Sequence, residues 1–99
     1  MNLNNQIVAI TGGASGLGAG AARMLSEAGA QVVILDRNES LAQETAKKLG
    51  ATAIACDVAN EDSVISAFEK IQTELGPVRG LLNAAGVDVI AKTASRQRI

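Results

Sequence analysis

Three glycines and one carboxylate carry the first chemical signal in this sequence. Gly12, Gly16 and Gly18 are spaced Gly-x-x-x-Gly-x-Gly within the stretch ITGGASGLG, and Asp36 lies 24 residues after Gly12 and 18 after Gly18. Glycine accepts backbone conformations and close approaches that other residues do not. Gly12 therefore permits a tight exit from a preceding strand, Gly16 lets the backbone come close to a pyrophosphate, and Gly18 lets a following helix pack against a sheet. The N–H groups of Ser15 and Leu17 then fall near a helix N-terminus, where unpaired donors and the helix dipole favour an anion. Glycine-rich turns of this kind also occur without any ligand. Asp36 is placed to accept hydrogen bonds from the hydroxyls of an adenosine ribose, although an aspartate at a strand end often does no more than cap a turn. A carboxylate there repels a ribose 2′-phosphate and so favours NAD over NADP, a preference that the neighbouring Arg37 softens.

Short apolar runs alternate with helix-like stretches, and these must position the four residues. Ile7 to Ile10 is a compact apolar run ending at Thr11-Gly12-Gly13. Helical spacing runs from Leu17 to Ala28 and stops at Gly29. Gln31 to Asp36 reads QVVILD, the continuous β-branched pattern of a strand buried on both faces. A second helix is expected from Ser40 to Leu49, ending at Gly50, and a third strand from Ala51 to Cys56. Asn60 is a good N-cap for a third helix over Glu61 to Leu75, which Gly76-Pro77 terminates before a fourth strand from Val78 to Asn83. The alternation predicts an α/β Rossmann-type parallel sheet in the order 3-2-1-4 with right-handed crossovers. The first two helices are expected on one face and the third on the other. Residues 1–91 form the expected dinucleotide-binding half-domain and 92–99 a polar, mildly basic tail.

TGGASGLG, Asp36, Asp57-Val58 and Asn83-Ala84-Ala85-Gly86 together resemble the short-chain dehydrogenase/reductase family, in the family's order and over about Gln6 to Lys92. Within it, the ITGGASGLG stretch, the AKKLG segment from Ala46 to Gly50 and the Lys92-Thr93 pair are similar to the type-2 3-hydroxyacyl-CoA dehydrogenases. The resemblance implies that Ser15 and Leu17 contact the pyrophosphate side of NAD and Asp36 its adenosine ribose. It implies that the Asp57 side chain and Val58 backbone hold the adenine. At Ala84, where the family commonly has Asn or Cys, the cofactor contact is expected mainly from backbone. Asn83 fits the first Asn of the family's Asn-Asn-Ala-Gly motif and chiefly stabilises the sheet. Read without the family, Asp57 equally suits a residue leading into a helix, and Asn83 a turn former at a strand end.

Composition narrows the partners. The chain has 99 residues, 47% of them hydrophobic and 19% charged, which suits one small globular domain. Net charge is −1, Phe68 is the only aromatic residue, and no basic run exceeds two residues, so nothing favours a nucleic-acid partner. Cys56 is the only cysteine and histidine is absent, which excludes an internal disulfide and any Cys/His metal cluster. Met1 to Gln6 is polar and no apolar run approaches the roughly 20 residues of a membrane span. The expected setting is the cytoplasm.

Chemistry is where the resemblance runs short. The family's catalysis uses Ser, Tyr and Lys, the last two spaced Tyr-x-x-x-Lys, together with a helical Asn. This chain has no tyrosine, so Lys47, Lys48, Lys70 and Lys92 follow none. The chain is therefore expected to bind the cofactor as part of a longer oxidoreductase and to be inactive alone. The alternative is a non-catalytic dinucleotide-binding or interaction module; a methyltransferase-like binder fits the glycine spacing less well. The fourth strand is expected to leave an edge open to self-association.

Overall fold

The computed structural model describes residues 3–14 and 16–84. Strand and helix alternate through β1 (Ile7–Thr11), α1 (Gly16–Glu27), β2 (Gln31–Asp36), α2 (Glu39–Leu49), β3 (Thr52–Ala55), α3 (Glu61–Glu74) and β4 (Gly80–Asn83). The four strands form one parallel sheet in the order β3-β2-β1-β4, as the alternation predicts. β1 and β2 occupy its middle and are buried almost throughout. Their side chains alternate between two cores, since successive residues of a strand point to opposite faces.

Val8, Ile10, Val32 and Ile34 pack with Ala22 of α1 and with Ala42 and Ala46 of α2 on one face. Ile7, Ala9, Val33 and Leu35 pack with Ala67 and Ile71 of α3 on the other. The first two helices thus share a face and the third crosses over, as expected. Each fully buried Val, Ile or Leu contributes roughly 1.5–3 kcal/mol, so the sheet centre is the most stabilising part of the fold. The helices meet it largely through alanine, which brings their axes close.

Element ends differ from the sequence reading by one or two residues. α2 begins at Glu39, one residue before Ser40, because Asn38 supplies the cap: its side chain accepts from the Leu41 N–H at 3.0 Å. Gly50 closes the same helix in the left-handed conformation, at φ 69°. Asn60 caps α3 as expected, accepting from the Ser63 N–H at 3.1 Å. β3 is shorter than Ala51–Cys56 because only the stretch from Thr52 to Ala55 lies opposite β2. β4 starts at Gly80, where its pairing with Val8 begins. Among the described residues no helix is long and apolar enough to cross a membrane.

Candidate functional site

Parallel register brings four loop starts to one rim of the sheet. Thr11 is level with Leu35 and Asn83, and Asp36 with Ala55. Gly12, Asp36, Cys56 and Ala84 therefore leave the sheet at the same carboxyl edge. Hydrogen bonds carry the ladder one step further, from Gly12 N to Leu35 O (2.7 Å), Cys56 N to Asp36 O (3.0 Å) and Ala84 N to Thr11 O (2.9 Å). β1 is flanked by β2 on one side and β4 on the other, so the strand order reverses at β1. In open α/β sheets that reversal is where ligands bind.

The three glycines do three different jobs. Gly12 has φ 68°, a left-handed turn out of β1 that residues with a side chain rarely adopt. Gly16, at φ 58°, opens α1, and a Cβ there would meet nothing within 4 Å, so its exposed surface faces open space. Gly18 is the opposite case: a Cβ there would drive into the Gly12 carbonyl oxygen and lie 2.9 Å from the Gly13 Cα. The contact that demands this glycine is with the turn itself rather than with the sheet, which refines the expectation. Gly13, a position the spacing did not single out, is also pinned: a Cβ there would sit 3.2 Å from the Ile10 and Ile34 side chains. No local pattern marks it, since its neighbours come from two strands.

Asp36 stands beside this turn. Its Oδ2 accepts from the Ala14 N–H at 3.3 Å and its Oδ1 from the Asn38 N–H at 3.0 Å. One carboxylate thus ties the end of β2 both to the glycine turn and to the start of α2. Arg37, next along, is exposed. Leu17, in the first turn of α1, is 91% exposed despite being apolar.

The third loop is built locally. Asp57 Oδ1 accepts from the Ala59 N–H at 3.0 Å, and the Asp57 N–H donates to Ser63 Oγ at 3.0 Å. Asp57 therefore leads the chain into α3, while half-buried Val58 packs on the core beneath α3. Cys56 is buried there; burial pushes its thiol pKa up, opposed by a hydrogen bond with Ser63 and reinforced by the Asp57 carboxylate. At β4, Thr11 Oγ1 donates to Asn83 Oδ1 at 2.7 Å, so Asn83 clamps β1 to β4. The exposed Ala84 follows it at the rim. Ser15, Ala85 and Gly86 lie outside the described residues. Among the described residues no group of three or more Cys, Asp or Glu side chains is placed to hold a metal ion.

The sequence matches the family described as short chain dehydrogenase over residues 6–98. It is 38% identical over 86 residues to a 3-oxoacyl-[acyl-carrier-protein] reductase of Mus musculus, covering 85% of this chain and 36% of that protein. It is 43% identical over 90 residues to short-chain dehydrogenase reductase 3c of Arabidopsis thaliana, covering 88% of this chain and 35% of that one. Among solved structures, a 3-ketoacyl-(acyl-carrier-protein) reductase from Brucella melitensis complexed with NADH superposes with a TM-score of 0.77 at 37% identity, over 80% of this chain and 34% of that one. The chain thus spans about a third of the length of the relatives it matches. With its glycine turn, its strand order and nearly its whole length accounted for by this match, the chain belongs to the short-chain dehydrogenase family.

Proposed function

We propose that this chain is the NAD-binding portion of an oxidoreductase that moves a hydride between a nicotinamide dinucleotide and an alcohol or ketone. The observation that carries the reading is the Asp36 carboxylate held at the sheet rim against the glycine turn. Fit is tested by the turn: Gly16 presents backbone to open space, and Gly18 lets α1 start directly against the Gly12 carbonyl. The backbone at Gly16 and Leu17, with Ser15, would hold the pyrophosphate, and Asp36 the adenosine ribose. Asp57 and Val58 would hold the adenine, and Asn83, Ala84, Ala85 and Gly86 would contribute further cofactor contacts, Ala84 mainly through its backbone. Arg37 would lie beside the ribose. When bound, the nicotinamide supplies hydride acceptance or donation. NADH in the Brucella melitensis reductase supports the cofactor, and the reductase names of the relatives support a carbonyl substrate; 3-hydroxyacyl-CoA esters are one class to test, on the likeness of ITGGASGLG and AKKLG alone.

Proton transfer at the alcohol belongs, in this reading, to another part of the enzyme. A positioned acid–base group typically supplies about 10²–10⁴-fold, and the chain has neither tyrosine nor histidine to offer one. Titration calorimetry with NADH and NADPH tests the reading. NADH is expected to bind more tightly, and Asp36→Ala to erase most of the difference. Equal or tighter NADPH binding to the unmodified chain would contradict it.

A further inference from the structure

The Ala14 backbone is gripped on either side of its Cα by residues distant in sequence. Its N–H donates to Asp36 Oδ2 at 3.3 Å, and its carbonyl accepts from Thr45 Oγ1 at 3.0 Å. Its methyl group is buried in the core shared with α1 and α2. We propose that Thr45, in the body of α2, is a positioning residue for the dinucleotide site, fixing the Ala14 carbonyl and through the Ala14 backbone the glycine turn and the Asp36 carboxylate. This rests on the reading of that site as a dinucleotide site.

A threonine inside a helix commonly donates its hydroxyl proton back to its own helix, to the carbonyl three or four residues earlier. A hydroxyl has a single proton to give. Thr45 gives it to the Ala14 carbonyl, 31 residues away. The neighbouring Ala42 and Ala46 are buried against the sheet and let α2 come close enough for that reach. The links then close into a ring. Ala14 N–H meets Asp36 Oδ2, Asp36 Oδ1 accepts from Asn38 N, and Asn38 Oδ1 accepts from Leu41 N and so starts α2. The same helix carries Thr45 back to Ala14. Within this ring the Ala14–Asp36 bond, at 3.3 Å, is long for an N–H donor, and the Thr45 hydroxyl supplies a second, independent hold on Ala14. Freed from it, the Ala14 carbonyl can swing away and loosen the backbone that carries the Ala14 N–H, one of the two partners that set the direction of Asp36.

Thr45→Val keeps the shape and removes the proton; Thr45→Ser keeps the proton. NADH binding by calorimetry, amide resonances of Gly12, Gly13 and Ala14, and thermal unfolding are measured for all three chains. One neutral hydrogen bond corresponds to about a fivefold change in an equilibrium. Thr45→Val is expected to raise the NADH Kd about fivefold, to shift those resonances and to speed exchange of the Ala14 N–H, with Thr45→Ser within about twofold of the parent. A lowered melting midpoint in Thr45→Val with NADH affinity and turn resonances unchanged overturns the proposal, because that is what a merely structural threonine gives. An unmodified chain that binds no NADH overturns the dinucleotide reading and this assignment with it. The two failures are distinct, since only the second appears before any substitution is made.

Discussion

The loops that follow β1 and β3 leave the same sheet edge, yet they are built on opposite plans. The loop after β3 is held by its own neighbourhood: Asp57 accepts from Ala59, Asn60 from Ser63, and Ser63 from Asp57, all within six residues. The glycine turn after β1 is held by Asp36 and Thr45, 22 and 31 residues from Ala14, and by Gly18, whose missing side chain leaves room for the Gly12 carbonyl. A loop of the first kind forms wherever its few residues are present. One of the second kind exists only once β2 and α2 have docked, so its shape reports the state of the whole domain.

Substitutions separate the two plans. The largest effect is expected from Gly18→Ala, which sets a methyl group against the Gly12 carbonyl and Gly13 Cα. Overpacking against backbone that has nowhere to move costs about 3 kcal/mol, to be read in urea unfolding, together with loss of NADH binding. Asn60→Ala removes a cap from the local loop. It should cost about 1 kcal/mol with nucleotide affinity unchanged; a matching loss of affinity would show that the two loops are not independent. The smallest effect is expected from Gly20→Ala, two residues beyond Gly18 in the same helix, where an added Cβ meets nothing within 4 Å. That variant should be more stable by about 0.5–1 kcal/mol, and a loss of stability there would mean that crowding at Gly18 is not what makes its substitution harmful.

The same contrast explains what the sequence makes legible. Strand order, the face taken by each helix, the Gly12 turn and the Asn60 cap all follow from apolar periodicity or from residue types acting on near neighbours. The Asp36 position is legible because its distance from the glycines reflects one helix and one strand. The grip of Thr45 on Ala14 and the crowding at Gly13 are not, because each joins elements whose meeting is decided by packing. The start of α2 is displaced by one residue from the expected Ser40, because the apolar spacing does not register the Asn38 cap, which Asp36 also holds through its N–H. Beyond the rim, Leu81 and Leu82 of β4 remain 48% and 40% exposed in a strand whose pattern is apolar.

β1 is made early in the chain and completed late. Its partnership with β2 closes across a single helix, but its other side waits for β4, whose residues lie about seventy positions further along. During synthesis the most buried strand of the sheet therefore spends most of the time with one edge bare, and the Thr11 hydroxyl without Asn83 to receive its proton. An unpaired strand edge is sticky. Released chains that end before residue 80 should need a chaperone's cover, whereas those that include Asn83 should need it less.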